Sequence, residues 1–446
     1  MVRALGSVAS AFFLSALCAS CRYPVEIRTE PPGAEVVVQA LGPSGQPQGE
    51  LPGTQITPAK YDLDFDAFSE YQATVSKSDY MDEKVKLTKA MLRALPRDPD
   101  GTYVATVKLK QYREVKTPQV VVDPREGLKV LVREVRAFPE DIEREGAAAS
   151  KIVSLGEGLS VTGIALSPDG KHIAFSALET LKDSGSDQVQ MLATLRAVAS
   201  EGGGIAQLTT GSWLDVDPSF DLTGRMVYFV SNRLRSDGLD VFGINFPQSG
   251  GILTIYQQNE GWARQPREAK GGLLTFAFQQ SRFGRAGMPH IWTIGGPNGF
   301  PTQLKEGTTP APSPDGGRIA FIGHDNKLWV LDLGTQRCTQ LTSGQQTLES
   351  QPVWSPDGAY IVYVSNAGKD STGEPNNDLW LRRADGSGAP IQLTTNGSDD
   401  NSAAIDPSGK WIYFVSNRGF TWGIWRIPWP SDQLRTKEPV DSGALR

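Results

Sequence analysis

Apolar residues in this chain come in short runs rich in β-branched and aromatic side chains, separated by clusters of Gly, Pro, Ser, Asn and Asp. That rhythm predicts short strands joined by tight turns, and no long stretch carries the 3.6-residue period of an amphipathic helix. Beyond residue 150 the rhythm repeats. Ser167-Pro168-Asp169-Gly170 precedes the apolar Ile173-Ala174-Phe175. Ser313-Pro314-Asp315-Gly316 precedes Ile319-Ala320-Phe321, and Ser355-Pro356-Asp357-Gly358 precedes Ile361-Val362-Tyr363. Degenerate copies run Asp221-Leu222-Thr223-Gly224, Ala269-Lys270-Gly271-Gly272 and Asp406-Pro407-Ser408-Gly409, each before another apolar triplet.

The glycines of these turns, Gly170, Gly224, Gly272, Gly316, Gly358 and Gly409, lie roughly 42 to 54 residues apart, the period of four-stranded propeller blades. The tetrapeptide itself is turn chemistry. Proline presets φ for the second position of a type I turn, aspartate suits the third, and glycine takes the left-handed place that follows. A reading of Asp169, Asp315 and Asp357 as ligands or acids meets Thr223, Gly271 and Ser408 at the same place in the other units. Five units continue with a third strand that carries a large apolar residue: Val241-Phe242, Ile291-Trp292, Leu328-Trp329, Leu379-Trp380 and Ile424-Trp425. These aromatics are expected between neighbouring blades. A last strand reads Gln207-Leu208-Thr209, Gln340-Leu341-Thr342 or Gln392-Leu393-Thr394.

The unit with Trp354-Ser355-Pro356-Asp357-Gly358, Tyr363-Val364-Ser365-Asn366, Leu379-Trp380 and Gln392-Leu393-Thr394 resembles the repeat of TolB-like β-propellers, over roughly residues 154 to 440. The fold expected is all-β, with a six-bladed β-propeller over 151–440. The alternative is seven blades, in which Asp123-Pro124-Arg125-Glu126-Gly127 and Leu128 to Val132 begin a degenerate first blade. The strand-like segment 150–155 has no blade of its own and is expected to pair with the Ile424 strand, latching the ring where an open edge would invite mispairing.

Before the repeats, residues 21–112 read as a small antiparallel β domain. Val25-Glu26-Ile27, Pro31-Pro32-Gly33-Ala34, Val36-Val37-Val38, Thr57-Pro58 and Tyr71 to Lys77 follow in an order that resembles the PEGA domain, a small β-sandwich. Residues 113–150 are read as a connector with a solvated mixed-charge stretch, in which Pro139 followed by acids starts a short helix. Residues 441–446 form a tail.

The amino terminus reads as an export signal over 1–20: Arg3, then the apolar Val8 to Leu17, then Ala19-Ser20 before Cys21. The apolar run is too short to span a bilayer. Small residues before a cysteine resemble the bacterial lipobox, which implies lipidation of Cys21, and Arg22 after it implies a periplasmic protein anchored to the outer membrane. Loss of Cys18 with the signal leaves Cys338 as the single thiol of the folded part, with no internal disulfide and no cysteine zinc cluster. The formal net charge of -6, with scattered cations, argues against nucleic acid as a partner.

Catalytic constellations are scarce. The three histidines, His172, His290 and His324, stand apart and lack metal-ligand spacing. No Gly-x-Ser-x-Gly elbow or phosphate-binding loop is present. Asp215 with Asp217, and Asp399 with Asp400 and Asn401, are loop carboxylates open to a glycosidase or calcium reading as well as to plain solvation. Asn232-Arg233, Asn417-Arg418 and Asn366 follow the second strands of their units. They are the candidate protein-binding residues, against a reading as strand-end braces. Trp422, Trp425 and Trp429 are read as blade core. The function expected is a non-catalytic envelope lipoprotein whose propeller holds a protein or peptide partner, touching membrane only through its lipid, with no cofactor and no metal. The alternative is a peptidoglycan- or glycan-binding module, or an enzyme acting on a glycan in the propeller channel.

Overall fold

Each Ser-Pro-Asp-Gly sequence folds as the turn its chemistry requires. Ser167 donates its hydroxyl to Asp169 Oδ1 at 2.6 Å, while the His172 N–H donates to Ser167 Oγ at 2.9 Å. Ser313 and Ser355 make the same bonds to Asp315 and Asp357. Gly170, Gly316 and Gly358 take φ of 72°, 77° and 69°, a region that L side chains enter only with strain. The seryl hydroxyl first, then a backbone N–H, hold the Asp169 and Asp315 carboxyls below the usual range.

The computed structural model describes residues 22–431 and 434, except 52, 124–126, 140–148, 157, 183–188, 248–250, 259, 283–284, 296–298, 345 and 370–372. The signal segment, Cys21, residues 124–126 of the alternative seventh blade, the helix expected after Pro139 and the tail lie outside the described residues. Two units divide the chain, Met1–Gln111 and Tyr112–Arg446.

In the first unit two sheets enclose one core. Arg22–Glu30 pairs antiparallel with Ala59–Asp64 and parallel with Tyr103–Lys108. Glu35–Leu41 pairs with Pro47–Glu50, Gln55–Ile56 and Glu70–Ser76, and the last pairs with Glu83–Thr88. Alternate residues of Glu70–Ser76 are buried, as a one-sided sheet demands. Val25, Ile27, Val36, Val38, Leu63 and Tyr71 meet in the shared interior. The Thr57 hydroxyl, which accepts from the Gly33 and Ala34 N–H groups, ties together the two turns noted in the sequence.

The second unit holds six four-stranded antiparallel sheets among the described residues. Their first strands are Leu159–Leu166, Val216–Phe220, Trp262–Ala269, Thr308–Pro312, Glu349–Trp354 and Asp400–Ile405. Each of these inner strands neighbours the next, and the Asp400 strand neighbours the Leu159 strand. This is a β-propeller arrangement. Ser150–Ser154 pairs antiparallel with Gly423–Pro428, Lys151 opposite Trp425 and Val153 opposite Ile424, so chain from both ends of the repeat region shares one sheet. Phe242 packs with Ala174 and Leu195 of the preceding sheet, and Trp425 with Val362 and Leu381, as aromatics between sheets should. Trp292, Trp329 and Trp380 are only partly buried.

Much of the segment read as a connector is a hairpin. Arg113–Asp123 pairs with Gly127–Ala137 in a two-stranded sheet to which no third strand adds among the described residues. The runs Val120 to Val122 and Val130 to Val132, rich in β-branched residues, favour strand over coil, and the charges that flank them suit a solvated linker.

Candidate functional site

Every inner strand carries a β-bulge at corresponding positions. Register slips between Val161 and Gly163, Val216 and Ser219, Arg264 and Arg267, Thr308 and Ala311, Ser350 and Val353, and Asn401 and Ala404. Five bulges hold a non-glycine residue at positive φ: Asp217 at 55°, Gln265 at 50°, Thr309 at 48°, Gln351 at 50° and Ser402 at 49°. Each such residue costs on the order of 1 kcal/mol and persists only where its surroundings fix it. Hydrogen bonds between successive inner strands do part of this. The Gln265 N–H donates to Asp217 Oδ2 at 3.0 Å, Ser402 N–H to Gln351 Oε1 at 2.7 Å, and Ile164 N–H to Ser402 Oγ at 3.0 Å.

Between the bulges lies an axial cavity of about 480 Å³, lined from all six sheets by residues that include Thr162, Val216, Gln265, Thr309, Gln351 and Asn401. Thr162, Gln265 and Gln351 also line a narrower space of about 30 Å³, where Asp217, Arg267 and Ser402 join them. The hairpin reaches the mouth, contributing Arg133 and Val135 to the cavity wall. Phe138 secures it: the Phe138 N–H donates to Ser398 Oγ at 2.9 Å, and its carbonyl accepts from Gly419 N–H at 2.7 Å. The Arg113 guanidinium lies 4.7 Å from the Phe420 ring centroid.

Most carboxylates near this cavity are engaged. Arg264 grips Asp217 through Nε at 2.6 Å and Nη2 at 3.3 Å. Lys327 holds Glu349 at 3.1 Å with both side chains buried. Asp215 takes Arg233 at 2.7 Å and the Ser231 hydroxyl at 2.6 Å. Asp400 takes Arg418. Asp399 differs. It lines the cavity without an ion pair, accepts from the Asn377 N–H at 3.3 Å, and has its pKa raised by burial against the opposing pull of that N–H and of Arg133.

The five candidate binding residues sit elsewhere than on the cavity wall. Asn232, Asn366 and Asn417 accept the backbone N–H of Leu214, Leu348 and Asp399 at 2.8, 2.7 and 2.9 Å. Arg233 stacks near Phe229 and Phe242 while it pairs with Asp215. Arg418, fully buried, lies near the Phe414 and Trp425 rings. All five brace a second strand against the residues that lead into an inner strand. Trp425 is core, Trp422 is buried beside the cavity, and Trp429 packs at the edge of the core. His172 abuts Phe246, and His290 faces the Met288 carbonyl and Glu306. Cys338 is half-buried beside Leu331. Among the described residues no group of three or more His, Cys, Asp or Glu side chains is placed to hold a metal ion, and no helix is long and apolar enough to cross a membrane.

Arg133, Trp262, Arg264, Gln265, Arg267 and Gln351 line the axial space without having been singled out in the sequence. A signal was there: Asp217-Pro218, Gln265-Pro266, Thr309-Pro310 and Gln351-Pro352 recur in register. Proline inside a strand marks a bulge or an edge.

A family model for the dipeptidyl peptidase IV N-terminal region matches residues 313–413, about two of the repeats. A protein named as a Tricorn-like protease C-terminal subunit, from Sulfurisphaera tokodaii, is 27% identical over 106 residues. That match covers 24% of this chain and 12% of the relative, so the chain spans a small part of that protein's length. Among solved structures, a gluconolactonase from Xanthomonas campestris shares 10% identity and a TM-score of 0.45 over 71% of this chain and 97% of its own. TolB from Acinetobacter baumannii shares 15% and 0.38 over 80% and 76%. The family match fits the β-propeller-type domain built by the sheets.

Proposed function

We propose that this chain is a non-catalytic cell-envelope lipoprotein, in which a six-bladed propeller presents its axial cavity to a protein or peptide partner. In this reading Ser150–Ser154 latches the ring. The first unit is a PEGA-like domain, and Cys21 carries lipid that holds the protein on the periplasmic side of the outer membrane. The observation that carries the reading is the engagement of the acids. Glycoside cleavage needs two free carboxyls set across a bond, yet Asp217, Glu349, Asp215 and Asp400 are all held by cations. What remains is a cavity wall that includes amides and hydroxyls, suited to contact.

The test is affinity capture of crosslinked envelope complexes through a carboxyl-terminal tag. A partner retained by the intact protein and lost on substitution of cavity residues supports the proposal. Repeated capture of no partner overturns it. A second reading, action on a wall glycan, draws on Asp399 alone, a cavity carboxyl whose raised pKa suits proton donation.

A further inference from the structure

Arg267 and Asp217 line the narrow end of the axial cavity, and Arg264 lines its wider part. Asp217 is taken by Arg264 through two hydrogen bonds. Arg267, on the same inner strand, lines the narrow space with Asp217, Gln265 and Gln351, and makes no ion pair or side-chain hydrogen bond among the described residues. Burial lowers its pKa, with only the more distant charge of Asp217 in compensation. Arg267 is half-buried, and a partly desolvated guanidinium without a carboxylate of its own is an arrangement that an incoming anion relieves.

The wider part of the cavity adds donors. Trp262 and Trp422, 5% and 3% exposed, line it with indole N–H groups that have no partner, and the hydroxyls of Thr162 and Thr309 are likewise unpartnered. Glu349 is occupied by Lys327, which leaves Asp399 as the cavity-lining acid without an ion pair among the described residues, within the field of Arg133. The space therefore holds unpartnered donors and a cation outside any ion pair among the described residues, complementary to a ligand rich in acceptors and negatively charged. A volume of about 480 Å³ lies low in the ~300–1,000 Å³ range of small-ligand pockets and admits a short segment. Both cavity indoles are buried, so neither offers the open ring face on which a sugar would stack.

We infer that the axial cavity binds a short acidic peptide segment, with a carboxylate of the ligand meeting Arg267 at the narrow end and Arg133 helping to hold it at the mouth. This rests on the scaffold reading and names the chemistry of its partner.

The experiment measures fluorescence anisotropy of a labelled tetra-aspartate peptide on the purified full chain, with tetra-asparagine, tri-galacturonate and inorganic phosphate as comparators. Saturable binding of tetra-aspartate is expected, weakened about tenfold or more by Arg267→Gln. Arg267→Lys should keep most of the affinity, and Arg133→Gln, on an exposed strand, should weaken binding about threefold. Equal affinity for tetra-asparagine, tighter binding of tri-galacturonate, or displacement by phosphate at concentrations matching the peptide would overturn the assignment. If Arg267→Gln does not fold, as judged by its thermal transition, Arg267→Lys and Arg133→Gln decide. Envelope capture of a partner without tetra-aspartate binding sinks this inference alone. Tetra-aspartate binding with no captured partner sinks the scaffold reading instead.

Discussion

Arg418 and Asp400 form an ion pair in which neither side chain has any exposure. Ser416 accepts from Arg418 Nε at 3.0 Å, and the Phe414 and Trp425 rings lie about the guanidinium. The pair joins the inner strand of the last sheet to the end of its second strand, and Asp215 with Arg233 does the same in the second sheet. The repeated Ser-Asn-Arg sequence is thus a covered brace.

Removing one partner of a buried pair strands the other charge, a cost of about 3–5 kcal/mol. Arg418→Ala should destabilise the propeller by that amount in urea unfolding. Replacement of both partners by apolar residues, Arg418→Met with Asp400→Leu, should restore most of the loss. Lys60→Ala, which removes an exposed lysine from Asp100 and from Glu26 while Glu26 keeps Arg28, should cost under about 1 kcal/mol. Equal effects of Arg418→Ala and Lys60→Ala would refute the brace.

Close by, Asp378 is fully buried and accepts from Gln392 Nε2 at 2.9 Å and from Thr394 Oγ1 at 3.3 Å. Burial first, then the charge of Asp400, push its pKa up to about 9 from 3.8. Between those values the folded chain keeps a proton that the unfolded chain has released. This group therefore lowers stability as pH rises through the window, by up to about 1.4 kcal/mol per pH unit, with no further slope below or above it. Asp378→Asn should cancel that slope, gaining about 2 kcal/mol or more on the unaltered protein between pH 5 and pH 8 in paired urea titrations. A pH-independent difference would show that Asp378 is ionised in the fold.

Much of the propeller was legible because turn chemistry is local. Ser167, Pro168, Asp169 and Gly170 meet one another within a few residues, so their bonds follow from sequence alone, and the period of such turns sets the sheets. The pairing of Val153 with Ile424 was also readable, from a strand without partners at one end and a sheet short of a strand at the other. The cavity was harder. Arg264 grips Asp217 across two inner strands while Arg267 and Asp217 line the narrow space, and only the curvature of six bulged strands brings those residues close together. The triplets Asn232-Arg233 and Asn417-Arg418 drew attention as polar repeats, yet their direction, into the sheet, depends on Asp215 and Asp400 lying one strand over. The hairpin was hidden by its charges: Arg133 alternates with apolar neighbours, and its place at the mouth comes from Phe138 docking some 260 residues away in sequence.

That docking makes its own forecast. Phe138 is buried, and its ring occupies the space that a side chain at Gly397 would need, 2.6 Å from the place of a Cβ. Phe138→Ala should release Arg113–Ala137 from the mouth, raising hydrogen exchange there while the six sheets keep their protection. Gly397→Leu, which intrudes on the ring, should do the same. Unchanged exchange in both variants would mean that Phe138 does not anchor the hairpin.

The anchoring proposal is checked by Cys21→Ser. In membrane fractionation the unaltered chain should sediment with outer membrane and take up labelled palmitate, and the variant should lose the label. Label on the variant, or none on the unaltered chain, would remove the lipid from the reading.

Asp399 decides between the two functional readings. General acid catalysis by a positioned side chain contributes about 10²–10⁴-fold, so a glycan-cleaving protein would lose nearly all activity in Asp399→Asn, an isosteric change that keeps the acceptor for the Asn377 N–H. The scaffold reading expects something else. Purified wall glycan should yield no new reducing ends with the unaltered chain at any pH from 5 to 8, and Asp399→Asn should still capture the envelope partner. With one acid fewer facing Arg133, its affinity for tetra-aspartate should rise about twofold to fivefold. Reducing ends that appear with the unaltered chain and vanish with Asp399→Asn would replace the scaffold by an enzyme, and would assign the raised pKa of Asp399 to proton donation.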